Sequence, residues 1–237
     1  MAIGTETAQL PCSSHGDVTA VTLDRHGYRL EFPLRGRRLA QAFELRAKVF
    51  CGELGWVGHP GQLQEVDVFD ASVWHLGVLA QSQLAAYLRV HPYGAPWMIS
   101  SVFADVVPPD CVLRCPGACE VSRLVVAPAF RRTVFSDGQT AAGLVCQLLY
   151  ALCVLNQIDT VHMIVTLRAL RALKLQGLPC RSWLHHSCQC DRDAPVFATL
   201  NWEEFRSSTE SLIAKRRPAF LATAEQARFA IVESGPC

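Results

Sequence analysis

The spacing of hydrophobic residues along the chain predicts alternating helices and short strands. Apolar residues at helical spacing predict one helix over 37–54 and another over 137–156, with Ser136 as the N-cap of the second. Further helices are predicted over 167–176, ended by Gly177 and Pro179, and over 203–214. Alternating or continuous apolar runs predict strands over 28–32, 74–79, 84–90, 120–126, 160–166 and 196–200.

The order of these elements predicts a single α/β domain over residues 25–215. A helix, antiparallel strands, a long helix, a strand, a helix and a last strand suit a three-layer α/β/α sandwich around one mixed, mostly antiparallel sheet. Residues 1–24 have no sustained period and are expected to be a poorly ordered arm. Residues 216–237 are expected to be a C-terminal tail, and 55–70 a long loop rich in aromatic and acidic residues.

The composition narrows the class of protein. Half of the 237 residues are hydrophobic and the formal net charge is +1, which argues against a strongly basic nucleic-acid binder. No apolar run reaches the roughly 18 residues of a membrane span. Residues 1–16 lack the basic and then apolar segments of a signal peptide, so we expect a cytoplasmic protein.

The cysteine count raises the question of a metal site. Eleven cysteines without a secretion signal favour free thiols over a disulfide framework. Neither of the two Cys-containing clusters has a paired C-x-x-C pattern, so we expect no metal, with a zinc site as the alternative. The clusters are Cys111, Cys115 and Cys119, and His185, His186, Cys188 and Cys190.

The residues with the strongest chemical signal fall in blocks between residues 45 and 126. The blocks are LRAKVFCGELGW, EVDVFD, YLRV, WMISSVF and CEVSRLVV. In order and spacing they resemble the signature blocks of the acyl-homoserine-lactone synthases, the LuxI-type autoinducer synthase family. The family's characteristic positions fall on Arg46, Phe50, Trp56, Asp67, Asp70, Arg89, Glu120 and Arg123.

This resemblance implies a fold and a reaction. The fold is the acetyltransferase-like GNAT fold. The reaction moves an acyl group from an acyl carrier protein, or in some members from coenzyme A, to the amine of S-adenosylmethionine. Methylthioadenosine leaves as the lactone closes, so S-adenosylmethionine is a substrate and no cofactor is expected. The alternatives are an N-acyltransferase that acylates a free amino acid without lactone formation, and a non-catalytic binding protein of the same fold.

The residue types suit the parts of S-adenosylmethionine. Trp56 or Phe50 can hold the sulfonium cation or the adenine ring. The guanidinium of Arg46 can pair with the substrate carboxylate, and Asp67 can accept from the ammonium group.

Further positions can perform the chemistry or hold the loop. Glu120 is the predicted base, acting through a water, and a backbone N–H near Arg123 is the predicted oxyanion donor. For Asp70 and Arg89, with Arg123, an ion-pair network that holds the loop on the sheet is the favoured role.

Two expectations concern the acyl donor. An apolar pocket is predicted from Phe103, Leu144, Leu148 and Met163, and because Met163 has no hydroxyl, donors without a 3-oxo group are favoured. Residues 131–138 lack the glycine-rich loop usual in coenzyme A-binding acetyltransferases. This favours a carrier-protein donor, with Arg131 and Arg132 available to an acidic partner.

Overall fold

The computed structural model describes residues 20–135, 138–183 and 193–234, with the side chains described as far as residue 231. One eight-stranded sheet forms its centre, and helices cover both faces. The strands are β1 (Val21–Arg25), β2 (Tyr28–Phe32), β3 (Trp74–Ala80), β4 (Gln83–His91), β5 (Ala118–Val126), β6 (Thr160–Val165), β7 (Arg181–Trp183) and β8 (Val196–Asn201). The helices are α1 (Gly36–Arg46), α2 (Ala141–Leu155), α3 (Leu167–Leu175), α4 (Trp202–Ser207) and α5 (Ser211–Ser234).

The sheet is mixed and mostly antiparallel. Its order is β1-β2-β3-β4-β5-β6-β8-β7, and β5 with β6 is the parallel pair. Residues that alternate along β4 face different layers, since Leu88 packs in the core cluster that contains α2 and Tyr87 packs in the cluster that contains α1. The predicted three-layer α/β/α architecture is therefore confirmed.

Both predicted ends of the domain were placed too far inward. Val21–Arg25 forms β1 and pairs with β2, so the predicted arm over 1–24 is wrong for residues 21–24. The predicted tail from residue 216 is helical as far as residue 234. The helix predicted over 203–214 is two helices, α4 and α5, because Ser208 leaves helical geometry with ψ 137°.

The long helix begins later than predicted. Helix α2 starts at Ala141, where the Thr140 side chain accepts a hydrogen bond from the backbone N–H of Gly143. A Thr at this position satisfies one of the free donors of the first turn. The predicted cap, Ser136, lies outside the described residues. None of the helices in the described ranges is long and apolar enough to cross a membrane.

Two irregularities of the sheet create the space for a site. The register of β4 against β5 shifts between Tyr87 and Arg89, and Arg123 on β5 has a left-handed backbone with φ 56°. The parallel pairing of β5 with β6 stops at Val121, opposite Met163. Beyond this point the two strands diverge and leave a gap in the sheet.

Candidate active site

A cavity of about 320 Å³ lies where β5 and β6 diverge. Its wall combines a few polar side chains with many apolar ones, as is common in small-molecule sites. The polar residues on the wall are Glu120, Ser122, Arg123, Thr166 and Asp193. The apolar residues are Phe50, Trp56, Val57, Met98, Phe103, Val121, Ile164, Val165 and Pro195.

An irregular helical turn presents two aromatic side chains to the cavity. The helix predicted over 37–54 changes at Arg46 from α-helix to a π-helical segment, Ala47–Glu53. The backbone N–H of Trp56 then donates to the carbonyl of Phe50 at 2.9 Å. Trp56 is 49% exposed, Phe50 is buried, and their ring centroids are 6.0 Å apart in a stacked arrangement. A flat or cationic ligand group has an aromatic surface to lie on here.

Glu120 is the buried carboxylate of the cavity wall. It is 2% exposed, and one carboxylate oxygen accepts from the backbone N–H of Ile99 at 3.3 Å. Burial raises the pKa of Glu120 to about 7. A group with this pKa is poised to accept and return a proton at neutral pH.

Arg46 is closed off from the cavity. Its side chain is 0% exposed, and it donates from Nε to Glu65 at 2.6 Å and from both terminal nitrogens to Asp70 at 2.7 and 3.1 Å. Burial opposes the charge, but the hydrogen bonds to Asp70 and Glu65 hold the pKa of Arg46 above its usual value. Every guanidinium nitrogen of Arg46 has a protein partner, so binding a substrate carboxylate would require one of these contacts to be replaced. The predicted role of Arg46 stays a prediction.

Asp70 and Arg89 belong to the same network as Arg46. Nη1 of Arg89 donates to Asp70 at 2.8 Å and to Asp67 at 2.7 Å, and the Arg89 side chain is 0% exposed. Although burial alone would raise it, hydrogen bonds, first that from Arg46, lower the pKa of Asp70 to about 2. The structure thus brings together the residues for which a loop-holding network was predicted.

Asp67 connects this network to the cavity side without lining the cavity. Its carboxylate accepts from Arg89 at 2.7 Å and from Nη2 of Arg123 at 3.1 Å, and 21% of the side chain is exposed. The predicted contact of Asp67 with an ammonium group stays a prediction.

Arg123 lies on the wall and is held by a residue that the motif search did not single out. Its Nε and Nη2 donate to the two oxygens of Glu65 at 3.0 and 2.8 Å, and its guanidinium lies 5.5 Å from the Phe50 ring centroid. Glu65 is 4% exposed and also accepts from Arg46. Glu65 opens the EVDVFD block, so its spacing to Asp67 and Asp70 was the available signal.

Ser122 was also missed, although it lies in the CEVSRLVV block. Its hydroxyl accepts from Nε of Arg89 at 2.8 Å and lies 3.0 Å from Nε2 of His91. Burial lowers the pKa of His91 to about 4, so the ring is neutral and Nε2 can accept a hydrogen bond from the Ser122 hydroxyl. This chain of contacts fixes a polar part of the cavity wall.

The predicted acyl pocket is only partly on the cavity wall. Phe103 lines the cavity, whereas Leu144, Leu148 and Met163 are buried in the main core cluster. The predicted contact of these three residues with the acyl chain stays a prediction. The expected preference for donors without a 3-oxo group depends on that contact of Met163 and likewise stays a prediction.

Within the described ranges, no group of three or more His, Cys, Asp and Glu side chains is placed to hold a metal ion. Cys111 and Cys115 are partly exposed free thiols and Cys119 is a buried one. The alternative zinc cluster, His185, His186, Cys188 and Cys190, lies outside the described residues.

A mixed sheet that splits between β5 and β6, with a buried carboxylate beside the split, is a fold that the chain shares with acetyltransferase-like proteins. A putative N-acetyltransferase from Lactobacillus plantarum has this fold with a TM-score of 0.50, at 17% identity over 74% of this chain and 97% of its own. The autoinducer synthase family model matches residues 33–204, so the chain belongs to that family. The predicted family and enzyme class, an acyl-homoserine-lactone synthase, are confirmed.

Solved autoinducer synthases share this fold. The AHL synthase LasI superposes with a TM-score of 0.63, at 17% identity over 73% of this chain and 89% of LasI. The CoA-dependent acyl-homoserine lactone synthase BjaI, solved with SAM and isopentyl-CoA, gives a TM-score of 0.55 at 21% identity, covering 76% of this chain and 81% of BjaI. No curated protein sequence matches the chain.

Proposed function

We propose that this enzyme joins an acyl chain to S-adenosylmethionine and releases an N-acyl-L-homoserine lactone and methylthioadenosine. The observation that supports this most is Glu120, a buried carboxylate with a pKa near 7 on the wall of a cavity that also presents Trp56, Phe50 and Arg123. The relative BjaI has been solved with SAM and isopentyl-CoA, the two substrate types that this reaction needs.

The first step is acyl transfer. Glu120, through a water, takes a proton from the substrate ammonium, and the free amine attacks the thioester carbon. A C–N bond forms and the C–S bond of the thioester breaks. The nitrogen gives its second proton to the leaving thiolate, and the proton held by Glu120 is released to solvent. General base catalysis of this kind supplies about 10²–10⁴-fold in rate. A backbone N–H near Arg123 is the proposed oxyanion donor.

Trp56 and Phe50 form the proposed binding surface for the sulfonium or the adenine of S-adenosylmethionine. Trp56 is half exposed while its neighbour Phe50 is buried, so one ring face remains open to a ligand. A cation over such a ring gains about 0.5–2 kcal/mol.

The second step is ring closure. A carboxylate oxygen of the acylated substrate attacks the carbon attached to the sulfonium, so that a C–O bond forms and the C–S bond breaks. Methylthioadenosine leaves with the electron pair of that bond. The reaction is intramolecular, so correct folding of the substrate supplies much of the rate.

We propose an acyl carrier protein as donor, with a coenzyme A thioester as the alternative. Arg131 is partly engaged, pairing with Glu53 at 2.7 Å, whereas Arg132 is exposed. Helix α3 follows Thr166 of the cavity wall and adds three exposed cations without an acidic residue, which suits an acidic partner. These cations are Arg168, Arg171 and Lys174.

Product analysis tests the proposal. The purified protein is incubated with S-adenosylmethionine and acyl carrier protein bearing a fatty acyl chain, and in parallel with acyl-coenzyme A. Mass spectrometry should detect an acyl-homoserine lactone and an equal amount of methylthioadenosine. An acylated amino acid without methylthioadenosine would instead show an N-acyltransferase that forms no lactone.

A further inference from the structure

Arg123 is the one Arg or Lys among the described residues on the cavity wall. A substrate carboxylate bound in this cavity needs a cationic partner, and Arg46, the first candidate, is fully enclosed. The side chain of Arg123 keeps 13% of its surface exposed. The choice of partner therefore falls on Arg123 by accessibility.

The contacts of Arg123 leave one nitrogen for a ligand. Nε and Nη2 are taken by Glu65, and Nη2 also contacts Asp67 at 3.1 Å. Nη1 has, among the described residues, one hydrogen-bond contact, the sulfur of Met98 at 3.9 Å. Sulfur is a weak acceptor, so an anionic oxygen would replace it with a gain in hydrogen-bond strength.

The hydrogen bonds of Glu65 leave Nη1 of Arg123 available. Both carboxylate oxygens of Glu65 accept from Arg123, one from Nε and one from Nη2, and the carboxylate also accepts from Nε of Arg46 at 2.6 Å. A two-point grip fixes the plane of a guanidinium as well as its position. Without Glu65, the contact with Asp67 would remain, and the guanidinium could rotate and present a different nitrogen to the cavity.

We infer that Glu65 is a positioning residue, which holds Arg123 so that Nη1 meets the carboxylate of S-adenosylmethionine. This inference rests on the proposed function. It also assigns the carboxylate contact to a residue other than Arg46. Glu65 itself lies off the cavity wall and acts through Arg123.

The test compares two ligands that differ in the carboxylate alone. Calorimetric titrations use S-adenosylmethionine and decarboxylated S-adenosylmethionine, which keeps the sulfonium and the amine. Arg123→Lys removes the planar set of guanidinium donors, and Glu65→Gln removes the charge that holds them. Each should weaken binding of S-adenosylmethionine by roughly 10- to 100-fold. Binding of the decarboxylated ligand should change by less than about threefold, since it lacks the group that Nη1 contacts.

A double variant separates positioning from general support of the fold. If Glu65 acts through Arg123, then Glu65→Gln added to Arg123→Lys should weaken S-adenosylmethionine binding little further. Glu31→Gln is the matched control, because Glu31 is 8% exposed and is paired with Arg38 away from the cavity. If Glu65→Gln does not fold, Glu65→Asp keeps the charge, shortens the reach and should give a smaller loss of the same selectivity.

The outcomes are distinct. Equal losses for both ligands, no loss for either, or additive losses in the double variant would overturn the positioning role. If the unaltered protein bound neither ligand, the proposed function itself would fail, independently of Glu65.

Discussion

The buried ion-pair network and the cavity wall contain the same residue types but differ in access. In the network, the side chains of Arg46 and Arg89 are 0% exposed and form ion pairs with buried or partly buried carboxylates. On the wall, Arg123 and Glu120 each face the cavity. The charged positions of one motif set therefore divide into those enclosed in the ion-pair network and those that line the cavity.

Among the variants, removal of an arginine from the buried network should have the largest effect, and it should act on the free energy of unfolding. Arg46→Ala removes one hydrogen bond to Glu65 and two to Asp70 inside the protein, which should cost about 3–5 kcal/mol of unfolding free energy. Chemical denaturation measures this. Arg206→Ala, at an exposed pair with Asp159, is the control and should cost less than about 1 kcal/mol. A small loss in both variants would show that the network does not hold the fold.

Removing the wall carboxylate should affect rate and spare the fold. Glu120→Gln should lower kcat by about 10²-fold or more, because the base is lost. The raised pKa of Glu120 means that its ionisation opposes folding as pH rises from about 4.5 towards about 7, so the variant should be at least as stable as the parent at pH 8. Glu44→Gln, exposed on α1, is the control. Turnover close to that of the parent in the folded variant would remove Glu120 from catalysis.

Removing the exposed aromatic ring should affect binding of one substrate. Trp56→Ala should weaken S-adenosylmethionine binding by roughly 2- to 30-fold, the equivalent of one cation–π contact. The Michaelis constant of the acyl donor should change less. Trp183→Ala removes a similarly exposed tryptophan far along the sheet on β7 and serves as the control. Unchanged calorimetric affinity in Trp56→Ala would place the substrate elsewhere.

The smallest effect is expected for acyl-chain selection. Phe103→Ala enlarges the cavity wall and should favour donors longer by one or two methylenes, each worth up to about 0.8 kcal/mol of burial. Met163→Leu, a core change of similar volume, should leave the chain preference unchanged. Competition between donors of different length measures both. A shift in Met163→Leu but not in Phe103→Ala would reverse the assignment of wall and core.

The sequence predicted which residue types form the site more reliably than it predicted which of those residues are buried. Glu120, Trp56 and Phe50 come from recognisable blocks and lie on one cavity. The complete burial of Arg46 was not predicted, because burial is set by the packing of distant segments, which one motif does not reveal. The place of Met163 in the main core was not predicted either, since an apolar run does not show which face of a buried strand a residue lies on.

The fold shows the same division. The central strands and α2 have strong periodic signals and were found. Strand β1 has five residues and gains stability from pairing with β2, a contact that local pattern does not contain. Helix α5 has a weak amphipathic pattern and contains Pro218, so its sequence gave little indication of a helix of 24 residues.

The pH dependence of kcat/KM tests the role of Glu120 most directly. A base with a pKa of about 7 must be ionised to accept the substrate proton, so kcat/KM should fall about tenfold for each pH unit below 7. In Glu120→Gln this fall at low pH (the acid limb of the profile) should disappear, and kcat/KM should be low and independent of pH. A profile of the unaltered enzyme that stays level between pH 5.5 and 8, or an unchanged acid limb in the variant, would contradict the assignment of Glu120 as the base.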